Sequence, residues 1–439
     1  MTVLATPGRR RAVPRPQGRA ARRLLYLLVL GAPVLGYAAL THAKYALVAG
    51  VAVLVAGLFS LDRGLLVVAA VPATMLVFRV GGSSSNLSFS DLTLFVATLT
   101  ALTAFRWSEA PVVRRLLWLL AVYEGALVLT LAANPYRANF LEWAHEALLV
   151  GGSLIVGWVV ARDGRSEAAT ASFLVLAGIV AMWACAYSLT HHLTAAYLPL
   201  GMQKNYIGDM LAFAAVIAYA GPAWAGPWVK RHANRFMALC ILGILASQSK
   251  QAMVSLIAGA AVLLLRDRRF RRRSLTILAA LVPLAVVAYV TVSREFASSN
   301  QFNSVHQRQT WLRDSLSVWH ISPLVGIGLR WWYTNRVQFH FQPPNAEAEV
   351  LTSAGLIGLA AFLVLALGSI WVVWHLPTRY ATLAAAVLIM RLVQGQLDIF
   401  WVTAQEAIPW LIVGMCLAGG LRESRHRGDR WPAVDLSVP

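Results

Sequence analysis

Residues 293–349 form the longest polar stretch of the chain and carry the side chains best suited to chemistry. They include five arginines, three histidines and a cluster of tryptophans. An arginine guanidinium holds phosphate oxygens through paired, charge-assisted hydrogen bonds, and a lysine acts on them as a point charge. An imidazole or a carboxylate can serve as a general base where it reaches the reacting oxygen. This stretch is therefore suited to holding a phosphate or diphosphate.

Each of these residue types also has a plainer role in a hydrophobic chain. A single arginine or lysine at a membrane boundary is more often a snorkelling side chain than a ligand contact. Aromatic rings there form a belt at headgroup level or stack on sugar faces, and both interpretations stay open for Trp143, Trp311, Trp319, Trp331, Trp332 and Tyr333.

Apolar residues dominate the remainder of the chain. Of 439 residues, 58% are hydrophobic and 13% are charged, and the mean hydropathy is +0.63. A span of the bilayer core, about 30 Å thick, needs about 20 apolar residues. The net charge is +19, but the basic residues lie mostly in short loops between apolar runs. A nucleic-acid-binding protein instead gathers them on one water-facing surface, so we exclude nucleic acid as a partner and expect membrane lipids around the chain. The sequence predicts an integral membrane protein.

The apolar runs predict an all-α polytopic fold with about 12 to 14 transmembrane helices. A basic tail, 1–23, precedes a helix bundle at 24–292. The extracytoplasmic loop 293–349 contains short helices, and C-terminal transmembrane helices at 350–421 lead into a second basic tail, 422–439. If residues 1–23 are cytoplasmic, most loop arginines fall on the same side, in accord with the positive-inside rule. This frame predicts cytoplasmic termini and a long loop on the outer side.

No Walker-type loop, zinc motif or nucleophile elbow occurs on the predicted cytoplasmic side, which argues against an ATP-driven pump. The three cysteines lie in apolar runs without metal-ligand spacing, so we interpret them as buried hydrophobes. The sequence indicates no metal and no cofactor.

Three segments resemble the O-antigen ligase and O-antigen polymerase superfamily. Ser247–Gly259, SQSKQAMVSLIAG, is similar to the family's Ser-Arg segment, with Lys250 where arginine is usual. Arg308–Gly328 carries an arginine, a Pro-Leu pair and a Gly-x-Gly arrangement similar to the family's. Pro344–Gly358, PNAEAEVLTSAGLIG, places Asn345, Gly355 and Gly358 on the ligase pattern. Asn205 adds a weaker similarity.

The chain departs from the ligase pattern at one position. The family has a histidine directly before the polar residue that matches Asn345, and here that position is Pro344. The resemblance therefore leaves the expected catalytic histidine without a counterpart. His340, four residues earlier, is the nearest imidazole and the candidate to take over as catalytic base, with a solvated or aromatic-packed loop histidine as its alternative interpretation. Glu347 and Glu349 follow in the first turn of a predicted helix, where acids ordinarily serve the helix dipole.

The resemblance implies a membrane glycosyltransferase of the bacterial inner membrane that takes part in surface polysaccharide assembly. The donor would be a glycan on undecaprenyl diphosphate, and the acceptor would be a glycan or glycolipid hydroxyl. Arg308 is the first candidate to stabilise the departing diphosphate, Lys250 is the second, and Arg137 and Lys204 are reserves. Arg391 lies within an apolar run, so it is predicted either to contact the donor diphosphate or to pair with Asp398 or Glu406.

A different class of function also fits the sequence. A transporter of polysaccharide or lipid-linked glycan, or a non-catalytic scaffold, would keep the same helical frame and would tolerate Pro344. A transporter is expected to place its polar groups near the bilayer midplane, whereas a glycosyltransferase is expected to gather them at the outer boundary beneath the long loop.

Overall fold

The computed structural model describes residues 62–79, 87–271, 304–334, 336–338 and 341–427, together with residues 282, 286, 290 and 293. Contacts divide the chain into two units, Met1–Leu66 and Val67–Pro439, and the elements below belong to the second unit from Val67 onward. The described residues are helical, with two isolated β-bridges and no strand. The all-α class is confirmed.

The helices in chain order are α1 Arg63–Ala73, α2 Phe89–Leu102, α3 Pro111–Ala133, α4 Arg137–Ala147, α5 Ser153–Arg162, α6 Ser166–Thr190, α7 Lys204–Ala220, α8 Gly226–Ser247, α9 Lys250–Arg266, α10 Arg268–Arg271, α11 Ser304–Trp319, α12 Ala346–Trp374, α13 Thr378–Gly395 and α14 Thr403–Arg427. A π-helical turn, Leu148–Gly152, joins α4 to α5. Helix α4 begins two residues after Pro135, so most of the polar stretch NPYRANFLEW, residues 134–143, is helical.

Several helices are long and apolar enough to cross a bilayer. Among the described residues five qualify, namely α3, α4–α5 taken together, α6, α12 and α14. A sixth span is possible if α7 and α8, bent by 102° at their junction, count as one. A polytopic membrane protein is therefore confirmed. The predicted spans at 24–40 and 46–61 and most of the one at 275–292 lie outside the described residues, so the total of 12 to 14 stays a prediction.

Small residues let the spanning helices approach each other closely. Gly157 on α5 and Gly414 on α14 face each other's helix, and a Cβ on either glycine would overlap the partner's backbone. Close backbone approach at small residues is a common way to pack helices in lipid. Polar side chains add a second kind of contact, since the buried Asp209 of α7 accepts hydrogen bonds from Gln251 of α9 and Gln405 of α14.

Arginines gather where several helices end on one side of the bundle. Arg266, the last residue of α9, donates to the carbonyls of Val373 and Trp374 at the end of α12 and of Leu376 just after it. Arg422 donates to Ala161 near the end of α5. Such contacts satisfy carbonyls that a helix C-terminus leaves without intrahelical donors. The arginine-rich end is therefore opposite to the end at which α9, α12 and α14 begin.

Candidate functional site

The segment Pro323–Arg330, here called the motif loop, docks onto a break in α12. The break is at Gly355, whose φ of 67° and ψ of −165° are not helical. On one side of it, Leu356 N donates to Pro323 O at 2.9 Å and Ile357 N donates to Leu324 O at 3.2 Å. On the other side, Ile327 N and Gly328 N donate to the carbonyls of residues 352 and 353, at 3.1 and 2.9 Å. The loop thus takes up the backbone groups that the break releases.

Two glycines make this contact possible. A Cβ on Gly355 would overlap the backbone of Leu324 and Val325, and a Cβ on Gly326 would overlap the backbone of Ser353 and Ala354. Both glycines also have positive φ, at 67° and 70°, where L residues are strained. The Gly-x-Gly of the loop and the Gly355 of the later motif are therefore two halves of one backbone junction. Gly358, the second glycine of that motif, is buried one turn beyond the break.

The end of α3 and the start of α4 hold the motif loop from its other side. Thr130 Oγ1 donates to Val325 O at 2.9 Å, and Asn134 Nδ2 donates to Gly326 O at 3.1 Å. Tyr136 OH donates to Leu329 O at 2.7 Å, and Leu329 N donates to Asn139 Oδ1 at 2.8 Å. Residues 134–139, NPYRAN, thus hold the loop by hydrogen bonds, and we call them the NPYRAN clamp.

At the end of the motif loop, Arg330 turns its side chain into the protein. Its backbone is left-handed, with φ at 55°, and the residue is only 6% exposed. Its Nε lies 2.8 Å from Glu142 Oε1, and its Nη2 donates to the Trp401 carbonyl. Burial alone would lower the pKa of Arg330, but the charges of Glu142 and Glu349 outweigh it and raise that pKa. The guanidinium therefore stays charged inside the protein.

Further charged groups extend from this ion pair. His145 contacts Glu142 at 3.4 Å and Asp91 at 3.1 Å. Asp91 also accepts a hydrogen bond from Ser88 N at 2.7 Å, as part of the capping box that begins α2. The row Arg330–Glu142–His145–Asp91, here called the buried relay, is enclosed throughout. It connects the motif loop to the second half of α4 and to the first turn of α2.

A small cavity lies beside Arg330. Its volume is about 10 Å³, and its lining includes Tyr123, Glu146, Glu349, Ser353 and Trp401. A space of this size holds about one water molecule, given two to four polar partners. The carboxylate of Glu349 accepts a hydrogen bond from Phe400 N. The cavity is thus lined by polar side chains and lies between α3, α12 and the segment that leads into α14.

A second polar group assembles where α7, α9, α12 and α14 begin. Asn205 Nδ2 donates to Asp398 Oδ2 at 3.3 Å, and Ser249 Oγ donates to Asn205 Oδ1 at 3.5 Å. Lys204 and Lys250 are the first residues of α7 and α9 and are both half-buried.

Asn345 and Glu347 belong to the same end of the bundle. Asn345 caps α12, because its Oδ1 accepts from Ala348 N at 2.9 Å. Two residues later, Glu347 Oε1 accepts from Gln396 Nε2 at 2.7 Å. The helix-start residues predicted from the motifs therefore share one face of the bundle with the motif loop.

The turn between α3 and α4 opens into a larger cavity. Its volume is about 430 Å³, and its wall is formed by Leu131, Asn134, Pro135, Tyr136, Arg137, Phe140 and Leu141. The Arg336 guanidinium lies 4.5 Å from the Tyr136 ring centroid. Burial raises the pKa of Tyr136 although Arg336 lowers it, so the phenol remains the hydrogen-bond donor to the motif loop. The cavity combines an apolar wall with cationic side chains.

Comparison with protein families identifies the segment that holds these motifs. Residues 236–363 match the family model described as O-Antigen ligase. The match begins in α8 and ends in α12, so it contains Lys250, Arg308, the motif loop and the break at Gly355. This match, over less than a third of the chain, supports the resemblance to the O-antigen ligase and polymerase superfamily. No curated protein matches the chain.

The fold brings together residues that the sequence singled out inside the matched segment and before it. Asn205, Lys204, Lys250 and Asn345 lie at the shared face just described, while Arg137 lies in the wall of the larger cavity. Arg308 is half-buried on α11. His340 lies outside the described residues. Within those residues, no group of three or more His, Cys, Asp or Glu side chains is arranged to hold a metal ion.

Arg391 lies deeper in the bundle and has several protein partners. Its Nε lies 2.8 Å from Glu406 Oε2, which is one of the two partners predicted for it. Its Nη2 donates to the carbonyls of Ile399 and Phe400. Glu406 also accepts from Trp410 Nε1 at 2.7 Å. These contacts fix the connection between α13 and α14 and favour a structural role for Arg391.

The sequence did not single out the buried relay. Arg330 was one of five loop arginines, and Glu142, His145 and Asp91 carried no motif. One signal was present in NPYRANFLEWAHE, since an apolar run that contains two glutamates and a histidine at helical spacing is costly in a membrane unless these side chains have partners.

Proposed function

We propose that this protein is a membrane glycosyltransferase that transfers or polymerises a glycan from an undecaprenyl-diphosphate donor onto an acceptor hydroxyl. The reaction takes place outside the inner membrane, during surface polysaccharide assembly. The match of residues 236–363 to the O-antigen ligase family supports this class of activity. The observation that carries the proposal is the docking of the motif loop on the break at Gly355, because it joins two family motifs into one structure.

The reaction is a displacement at the anomeric carbon of the donor sugar. The acceptor oxygen forms a bond to this carbon, and the bond to the diphosphate oxygen breaks with inversion. The electron pair leaves with the diphosphate, and the acceptor's proton passes to a base. Negative charge grows on the leaving group, so cations placed there lower the barrier. Arg308 has this role first and Lys250 second, with Lys204 and Arg137 as further contacts to the diphosphate.

Two residues are candidates for the base. His340 is the imidazole nearest to the position where the family has its histidine. Glu347 lies three residues beyond Pro344, with one carboxylate oxygen held by Gln396. Its other oxygen is buried and has no hydrogen-bond partner among the described residues. A carboxylate with one oxygen anchored and the other unpaired is suited to accept a proton from a hydroxyl.

The distribution of polar groups favours a transferase over a transporter. The motif loop, the lysines at the starts of α7 and α9, and the Asn345 cap all lie toward one end of the bundle. The deep charge at Arg391 is paired with Glu406. A transporter is expected to have its binding site near the midplane, and no specific observation favours one here.

Reconstitution tests the proposal directly. The purified protein in proteoliposomes receives a defined undecaprenyl-diphosphate glycan together with either a lipid A core or a second lipid-linked glycan, and the product is analysed by mass spectrometry. Formation of a glycosylated acceptor is expected. Absence of product with every acceptor, from folded protein, would contradict the proposed function.

The same assay tests the leaving-group assignment. Arg308→Ala is expected to lower kcat by about 100-fold, as loss of one charge-stabilising donor typically does. Arg313→Ala, five residues along the same helix and exposed, is the matched control and should retain the wild-type rate. An undiminished rate in Arg308→Ala would remove Arg308 from this role.

A further inference from the structure

Helix α11 and the motif loop present a row of large apolar side chains on their outer surface. Leu312 and Leu316 are each 45% exposed, Ile321 is 58% exposed and Leu324 is 61% exposed. We call these four residues the apolar strip. Leu312 and Leu316 are four residues apart and share one face of the helix. Ser315 and Val318 lie elsewhere around the helix and are buried against the protein. The helix is therefore packed on one side, and the leucines are exposed because they lie away from that side.

The apolar strip continues the surface of a spanning helix. Leu324 is joined to α12 through the hydrogen bond from Ile357 N, and Pro323 through that from Leu356 N. Leu356 and Ile357 are themselves exposed, as are Leu363, Val364 and Leu367 further along α12. Exposed apolar residues on a spanning helix face lipid, because its 29 residues are long and apolar enough to cross the bilayer. The strip therefore begins at a lipid-facing surface and extends away from it along α11.

The composition of α11 is that of a helix at a membrane surface. Gln307, Gln309 and Arg313 are exposed together with the leucines, so the helix combines a short apolar face with polar and cationic flanks. An amphipathic helix of this kind lies in the plane of the membrane, with its apolar face at the boundary between headgroups and acyl chains. A separate patch of this type in water would be an aggregation hazard.

We propose that α11 lies in the membrane interface and that the apolar strip inserts among lipid acyl chains. Lipid thus occupies this surface, because the apolar strip continues the lipid-facing side of α12. One consequence rests on the proposed function. Arg308 lies one helical turn before Leu312, so immersion of the strip holds its guanidinium near the depth of the lipid phosphates, where the donor diphosphate also lies.

Site-directed spin labelling tests the proposal without any enzymatic assay. Nitroxides are attached to Leu316→Cys on the strip and to Thr310→Cys, which is exposed and lies about a third of a turn around the helix from Leu316. Both variants are placed in proteoliposomes, and collisions with oxygen, which concentrates in lipid, are compared with collisions with a water-soluble nickel chelate. Labelled wild-type protein gives the background from Cys185, Cys240 and Cys416, which are all free thiols.

The label at residue 316 is expected to collide mainly with oxygen, with an oxygen-to-nickel ratio several-fold higher than at residue 310. Frequent nickel collisions at residue 316 would place the strip in water and overturn the proposal. Rare collisions with both reagents would show that protein covers the strip, either another segment or a second copy, and would also overturn it. Leu312→Cys is the second variant, so that a folding defect in one does not decide the result. Because no transfer is measured, failure here leaves the proposed function standing.

Discussion

Arg330 shows how one residue connects a loop to the helices beneath it. A left-handed backbone directs its side chain inward, where Glu142 supplies the opposite charge at 2.8 Å and the Trp401 carbonyl accepts a hydrogen bond. Removing one member of a buried pair leaves the other charge without compensation, which costs far more than loss of a surface pair. Arg330 therefore holds the motif loop against α4 and α14.

Arg330→Ala is expected to lower the free energy of unfolding by about 3–5 kcal/mol, because Glu142 then stays buried without its guanidinium partner. Denaturant titration of the protein in mixed micelles measures this change. Arg106→Ala provides the control, since the Arg106 side chain is 73% exposed and its ion pair with Glu109, at 3.4 Å, lies at the surface. Its effect should stay within about 0.5 kcal/mol. Equal effects of the two substitutions would argue against the structural importance of the buried pair.

The choice of base is a second question at the scale of single residues. Glu347→Gln keeps the shape of the side chain and its contact with Gln396 but removes the charge. We expect kcat to fall by about 100-fold with an unchanged KM for the donor, since general-base catalysis contributes about that much or more. His340→Ala is expected to keep the wild-type rate. The reverse pattern in the same transfer assay would assign the base to His340. Glu109→Gln, on the exposed turn before α3, controls for loss of a glutamate elsewhere.

At the scale of elements, the break in α12 is a joint made by two segments. An unbroken helix would satisfy its own amides, so the break at Gly355 is stable because the motif loop donates and accepts in place of the helix. The same contact fixes the motif loop, and with it the end of α11, against α12. The hydrogen bonds that stabilise the break in α12 are therefore also the tertiary contact between α12 and the motif loop.

Gly355→Ala is expected to destabilise the protein, by about 1–3 kcal/mol for the strained backbone alone, with a further cost for overlap with Leu324. Thermal unfolding in detergent measures the loss. Gly125→Ala is the matched control, because a Cβ on Gly125 in the middle of α3 would meet no heavy atom within 4 Å. Alanine there should be neutral or stabilising by up to about 1 kcal/mol. A Gly355→Ala variant as stable as Gly125→Ala would contradict the joint described here.

At the scale of the whole molecule, charge divides the bundle into two ends. Arginines donate to carbonyls where α5, α9 and α12 finish, whereas the motif loop, the NPYRAN clamp and the lysines of α7 and α9 lie at the other end. The positive-inside rule assigns the arginine-rich end to the cytoplasm. The assignment of the two ends to compartments is a prediction that the fold makes easy to test.

The two ends of α3 provide that test. Pro135→Cys lies just after the helix and Trp107→Cys just before it, and both positions are exposed. A membrane-impermeant maleimide is expected to label residue 135 in spheroplasts and to label residue 107 only after lysis. Wild-type cells, with Cys240 and Cys416 buried and Cys185 half-buried, give the background. Labelling of residue 107 in intact spheroplasts would invert the predicted topology.

Hydropathy was sufficient to predict the all-α membrane class, and motif spacing was sufficient to predict the family resemblance that residues 236–363 support. Apolar composition is a property of each segment by itself, so a spanning helix such as α3 is visible without its neighbours. The family pattern likewise predicted the importance of three positions, because it records their spacing: Asn345, Gly355 and Gly358. The helix start at Arg137 is not visible in the same way, since the polar residues of NPYRANFLEW are those of a loop until their partners on the motif loop are known.

Pairing between distant segments depended on the folded chain. Arg330, Glu142, His145 and Asp91 are common residue types without a shared motif, and they come together only because the motif loop docks between α3, α4 and the break in α12. A buried charge is stable only beside its partner, and the identity of that partner is set by helix packing rather than by local sequence. The same packing brings Gln396 to Glu347 and exposes the leucines of α11, and neither contact nor exposure follows from local sequence.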